Sequence, residues 1–183
     1  CLEFSRVLFR SKASVTCAAW RPDSTQVAST VEPNALCIWD VSTGSQRLTL
    51  EGHSEAIQCV AWSPTGALIA SGSSDHTLRI WDAKTGEVVQ TFSGHRGAVV
   101  CVGWNKAGTR IVSGSKDGSL RVFDARTGAE HSCLQRQRSS ITCVDWSHAH
   151  GRIVFGTADQ SVFVWDVDSQ ESLLISVPSS VRP

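Results

Sequence analysis

From residue 55 to residue 92 the chain alternates short apolar runs with clusters of small and polar residues: "EAIQCVAW", "SPTG", "ALIASGS", "SDH", "TLRIWDA", "KTG" and "EVVQTF". Within each run apolar and β-branched residues alternate with polar ones, the period of a half-buried strand, and Gly, Pro, Asp and Ser between runs mark tight turns. The pattern predicts four antiparallel strands and no helix. A four-stranded sheet with two apolar faces cannot cover both by itself, so it must stack face to face against sheets of the same kind.

The same pattern recurs along nearly the whole chain. Trp20, Trp62, Trp104 and Trp146 are each 42 residues apart, and Trp39, Trp81 and Trp165 form a second column of that period in which Phe123 is the remaining member. Asp40, Asp82, Asp124 and Asp166 follow the second column directly, while Cys17, Cys59, Cys101 and Cys143 form another column. Nothing is inserted or deleted across four units.

These units, with "GH" at 52–53 and 94–95 and "WD" at 39–40, 81–82 and 165–166, resemble the WD-repeat, transducin-like β-propeller family over residues 4–177. The resemblance implies an all-β fold, a propeller of four-stranded antiparallel blades with four repeats present, as part of a larger ring of about seven. The units are read as blades at 10–50, 51–92, 93–134 and 135–177, preceded at 4–9 by the last strand of a further blade ("SRVLF") and followed by a tail at 178–183. The extra strand and the absence of methionine, position 1 included, are what a mature form or a fragment would have; a natural four-blade closure with a displaced first strand is the alternative.

Ser, His and Asp sit close together in "SGSSDHTLRIWD", with His53 upstream, and these are the residue types of a hydrolytic triad. The resemblance implies instead that His53, Ser71, Asp75 and Trp81 form one hydrogen-bonded line across a blade, the His bridging carboxylate and hydroxyl and the indole N–H completing it. The residues themselves support that reading. A buried indole, hydroxyl and imidazole each need a partner, and one chain of bonds satisfies all three. The set recurs as His95, Ser113 and Asp117, and no strand-to-helix "GxSxG" elbow exposes a serine, so no catalytic residue is assigned. Phe123 keeps the aromatic of this second set without its N–H, so Ser113 needs another partner or water, and Phe123→Trp is expected to stabilise if the indole fits. The first unit has Ser11 and Pro33 where His and Asp would stand; the fourth has Gln137 and Phe155 where His and Ser would stand, and keeps Asp159 and Trp165.

Charge and composition narrow the partners. With 17 basic and 17 acidic side chains there is no global field to recruit nucleic acid or an anionic membrane. No apolar run reaches the length of a membrane span or of a secretory signal. Four of the seven cysteines fall in one column of an inner strand, as small buried hydrophobes about 10 Å apart between stacked sheets, too far for disulfides; Cys1, Cys37 and Cys133 show no zinc spacing. Reduced thiols point to a cytoplasmic or nuclear setting. No metal is expected, the pair His148 and His150 lacking a third ligand, and no cofactor, since no phosphate-binding glycine loop occurs.

Function is then expected at the loops. By the family's geometry, Ser54, Glu55, Ser74, Arg96, Gly97, Lys116, Arg136 and Arg138 share one rim. Glu55, Ser74, Arg96, Lys116, Arg136 and Arg138 are the candidate partner-binding residues of a noncatalytic protein–protein interaction scaffold, taking proteins or peptides, acidic or phosphorylated ones fitting the basic loops best. The alternative is a nucleic-acid-associated propeller using the basic loops of the third and fourth blades, which salt dependence would reveal.

Overall fold

The computed structural model describes residues 15–31, 33–135, 139–147 and 151–175. The expected strand at 5–9, Ser11, Gln137, Arg136, Arg138, His148, His150 and the tail at 178–183 lie outside the described residues.

Sixteen strands make up the described chain, and no helix occurs among these residues. The first sheet holds β1 (Ala18–Trp20), β2 (Gln26–Val31), β3 (Ala35–Asp40) and β4 (Gln46–Leu50); the second β5 (Ile57–Trp62), β6 (Leu68–Ser73), β7 (Leu78–Asp82) and β8 (Val88–Phe92). The third holds β9 (Val99–Trp104), β10 (Arg110–Ser115), β11 (Leu120–Asp124) and β12 (Glu130–Leu134); the fourth β13 (Ile141–Trp146), β14 (Arg152–Thr157), β15 (Val162–Asp166) and β16 (Ser172–Ile175). Each sheet is an antiparallel meander in chain order, as short turns between neighbouring strands require.

The turns explain the aspartate column. Asp82 Oδ1 accepts the backbone N–H groups of Lys84 and Thr85, both at 2.8 Å, and Asp124 does the same for Arg126 and Thr127 at 3.0 and 2.7 Å. Such side-chain caps close the hairpin from β7 to β8 and from β11 to β12. Hydrogen bonds from Ser42 and Thr43 hold the equivalent Asp40 at a pKa of about 2.

Packing follows from strand alternation. Ala28, Leu36, Ile38 and Leu50 of the first sheet meet Ile57, Trp62, Ile69 and Trp81 of the second. The opposite face of the second sheet sends Ala70, Leu78, Ile80 and Phe92 against Trp104, Ile111 and Phe123 of the third. Val112, Leu120, Val122 and Leu134 then meet Ile141, Trp146, Ile153, Phe155 and Trp165 of the fourth. Each large side chain so buried contributes about 1.5–3 kcal/mol. Glycine permits the close approach near the inner strands: a Cβ at Gly72 would lie 2.5 Å from Val99 and 2.7 Å from Cys59 Sγ.

The cysteine column is only partly the buried set expected. Cys59 and Cys101 are buried, Cys17 is half-buried and Cys143 exposed, because Cys143 sits on the outer face of the fourth sheet and no further sheet covers it among the described residues. All six described cysteines are free thiols.

Candidate functional site

The second sheet brings together all four residues of the expected line. His53 follows β4 in the connection to β5, Ser71 lies on β6, Asp75 in the turn from β6 to β7, and Trp81 on β7. Trp81 Nε1–H donates to Ser71 Oγ at 2.7 Å, Ser71 Oγ lies 2.8 Å from His53 Nε2, and His53 Nδ1 lies 2.8 Å from Asp75 Oδ2. One neutral tautomer satisfies the whole chain: Nδ1–H donates to the carboxylate and Nε2 accepts the serine proton. Asp75 also accepts from the backbone of Ser54 (3.1 Å) and Thr77 (2.9 Å) and from the Thr77 hydroxyl (2.6 Å).

This order of contacts is that of a hydrolytic triad, so access and electrostatics decide what it does. Ser71 is completely buried, and its oxygen already accepts the indole N–H that a nucleophile would have to lose. Burial pushes the His53 pKa down, with Asp75 opposing, so the imidazole stays neutral. Burial works to raise the Asp75 pKa, but hydrogen bonds from Thr77 and His53 hold it at about 2. A cavity of about 600 Å³ between the first two sheets opens at the other end of the strands, lined by Arg21, Arg47, Gly66, Asp82 and Lys84, and does not reach Ser71. A charged, partnered carboxylate below a neutral imidazole and a sealed serine make a rigid polar strut.

The third sheet brings His95, Ser113 and Asp117 together differently. His95 Nε2 lies 2.8 Å from Ser113 Oγ, but its Nδ1 meets Ser119 Oγ at 2.9 Å, with Asp117 Oδ2 farther off at 3.5 Å. Ser119 relays the contact, since its hydroxyl donates to Asp117 Oδ1 at 2.6 Å, and Asp117 Oδ2 accepts the Arg96 N–H at 2.6 Å. With this weaker tie burial wins, and the His95 pKa falls to about 4. Ser113 finds its partner in His95, as Phe123 has no N–H to give. Thr77 and Ser119 escaped the sequence reading, although both stand two residues after the turn aspartate, the spacing at which a short hydroxyl closes an Asx turn.

The other two sheets hold partial versions. In the first, Trp39 Nε1–H donates to Ser29 Oγ at 2.8 Å, while Thr16 and Thr30, 2.8 Å apart, bond near the strand start. In the fourth, Phe155 replaces the serine and stacks on Phe163 at 5.1 Å, and the fully buried Trp165 Nε1 has no partner among the described residues. A second tie between sheets was also not foreseen: Trp62 Nε1–H donates to the Ala19 carbonyl at 3.0 Å and Trp104 to that of Ala61 at 3.3 Å. The signal available was the small residue, Ala19, Ala61 or Gly103, before the first three first-column tryptophans.

The described rim residues lie at the end of the sheets that carries Asp75 and Asp117. Glu55 is exposed and Ser74 half-buried; Ser74 Oγ accepts from Gln58 at 3.0 Å. Arg96 and Lys116 are exposed, and neither side chain makes an ion pair among the described residues. The Lys116 carbonyl accepts from Ser140 Oγ at 2.9 Å, joining the third and fourth sheets beneath the rim.

Comparison with known proteins gives a consistent frame. A family model described as the IFT122 first beta-propeller matches residues 14–181. No curated protein matches by sequence. Among solved structures, "Structure of U3-55K" is similar with a TM-score of 0.86 and 24% identity, over 92% of this chain and 53% of that one. "Crystal structure of RRP9 WD40 repeats" is similar with a TM-score of 0.86 and 25% identity, over 92% of this chain and 52% of that one. The chain thus spans about half the length of the solved structures it matches.

Proposed function

Since the chain belongs to the IFT122 first beta-propeller family and has the all-β WD-repeat fold, we propose that it is a noncatalytic scaffold that presents its loop rim to partner proteins. The observation that carries this reading is the burial of Ser71, whose oxygen is held by Trp81 and His53 while the polar surface at the same end of the sheets is left to the loops. Exposed Arg96 and Lys116, whose side chains make no ion pair among the described residues, favour an acidic or phosphorylated segment, because guanidinium and ammonium groups bind such anions by charge-assisted hydrogen bonds. Arg138 belongs to the same proposal by its place in the repeat. The free thiols suit a cytoplasmic or nuclear compartment.

The test is charge reversal. Binding of an Asp/Glu-rich phosphopeptide is followed by fluorescence anisotropy with the wild type and with Arg96→Glu/Lys116→Glu. An affinity loss of at least about tenfold at an unchanged melting temperature supports the rim reading. Unchanged affinity moves the partner to another face. Preference for an oligonucleotide, with affinity falling steeply as salt rises, would replace the protein partner by nucleic acid.

A further inference from the structure

Arg79 and Arg121 occupy the same place on β7 and β11, 42 residues apart, and only Arg121 has a carboxylate paired with it. Arg121 is paired with Glu130, the first residue of β12. In the second sheet that position is Val88, and Arg79 has no ion pair and no hydrogen bond among the described residues, its guanidinium lying 5.9 Å from the Trp81 ring centre; the Nε of both arginines is buried without a partner among these residues. A half-buried guanidinium is a permanent cation, and that of Arg79 has no ion pair among the described residues. The third sheet displays a group that pairs with the terminal nitrogen of such an arginine, a carboxylate.

The strand beside Arg79 is open. β8 is the last strand of its sheet, with no strand hydrogen-bonded to its outer edge among the described residues. Proteins commonly guard such edges with charge. β4 carries Arg47 and β12 carries Glu130 and His131, whereas β8 reads Val-Val-Gln-Thr-Phe, without charge or proline, and exposes Val88 by 40% and Val89 by 52%. β16 is also uncharged, but Phe163 stands at its arginine position. The bulge at the start of β8 is shared with β4 and β12 and does not set it apart.

We propose that the outer edge of β8 is a docking strand for an extended segment of a partner protein that pairs with its backbone and places an Asp or Glu carboxylate on Arg79. Backbone pairing supplies affinity, and Val88 with Arg79 selects an apolar, acidic sequence over a neutral or basic one. The surface is separate from the loop rim and stands whether or not the rim binds anything.

The probe is a synthetic peptide of alternating valine and threonine with one central glutamate, compared with the same peptide carrying lysine. Binding is measured by anisotropy, with hydrogen exchange followed at the β8 amides. The expected result is protection of β8 by the glutamate peptide, with binding about tenfold weaker for the lysine peptide and for Arg79→Gln. Val88→Glu, at an exposed position, supplies the carboxylate internally and should weaken the peptide by a similar factor while the protein stays folded. Absence of binding, equal binding of the two peptides, or indifference to both substitutions would overturn the proposal. Sedimentation showing a dimer that Val88→Glu abolishes would make a second copy the occupant and overturn it too. Weakening by Arg96→Glu would place the peptide on the rim, with the same consequence.

Discussion

The second and fourth sheets bury a tryptophan at the same place, and only one of the two indoles is hydrogen-bonded. Trp81 and Trp165 are both fully buried, yet Trp81 donates to Ser71 while Trp165 Nε1 meets no acceptor among the described residues. The fourth sheet fills the space with Phe155 stacked on Phe163 instead. The same backbone can thus be held by a polar line or by aromatic packing, the second leaving one buried indole N–H unmet among the described residues. The third sheet lies between them: its His95 and Ser113 keep the polar contacts, and Phe123 packs on Phe92 at 4.7 Å.

That difference can be broken most severely in the fourth sheet. Phe155→Ser offers Trp165 an acceptor but removes a ring that is 1% exposed, and the cavity term outweighs one hydrogen bond. A loss of about 3 kcal/mol or more is expected in urea unfolding; a gain would show that the serine alone makes the line.

Acid separates the second sheet from the third. His95 is held down at about 4 by burial against an unfolded value of 6.5, so below pH 6.5 the unfolded chain binds a proton that the folded chain refuses. The contribution is present above pH 6.5 and is lost as pH falls toward 4, amounting to about 3 kcal/mol over that window. Asp75 and Asp117, at about 2 when folded, add a further loss only as pH falls from the usual carboxylate range through 2. By NMR, His95 should titrate below His53, whose Nδ1 touches the Asp75 carboxylate directly. The reverse order would contradict the relay through Ser119.

The third sheet also revises the gain expected from Phe123→Trp. Trp81 packs beside Leu50, whereas Phe123 faces the larger Phe92 at the equivalent place. The single substitution overfills this space and should cost about 1–2 kcal/mol. Combined with Phe92→Leu it recreates the arrangement of the second sheet, and a net gain of about 0.5–1.5 kcal/mol is expected from the new bond to Ser113. A stabilised single variant would mean that the two rings yield more room than their packing shows.

The smallest effect concerns the arginines. Val88→Glu gives Arg79 the carboxylate that Arg121 has in Glu130 and should raise stability by about 0.3–1 kcal/mol, less at high salt. No change would imply that the third-sheet pair is equally neutral.

Most of the architecture was legible because it is written by period. Seven tryptophans in two columns, with the turn aspartates beside them, fix the strand count and the stacking without any knowledge of neighbours. The candidate line was legible as residue types, and the second sheet brings them all together. What escaped depends on the adjoining sheet or on one extra hydroxyl: Ser119 stepping between His95 and Asp117, Phe92 replacing Leu50, and the bond from Trp62 to the Ala19 carbonyl. These depend on volumes and distances between segments far apart in the chain, which a column of residue types does not encode.

The central claim is that the serine, histidine and aspartate of the second sheet hold the fold and do no chemistry. Ser71→Ala tests it most directly, with urea unfolding and ester hydrolysis measured on the same samples. The substitution leaves a buried indole N–H and an imidazole nitrogen unmet, so a loss of about 2–4 kcal/mol is predicted, with hydrolysis at the solvent background in both proteins. An unchanged unfolding midpoint together with a wild-type hydrolytic rate that the alanine abolishes would contradict it.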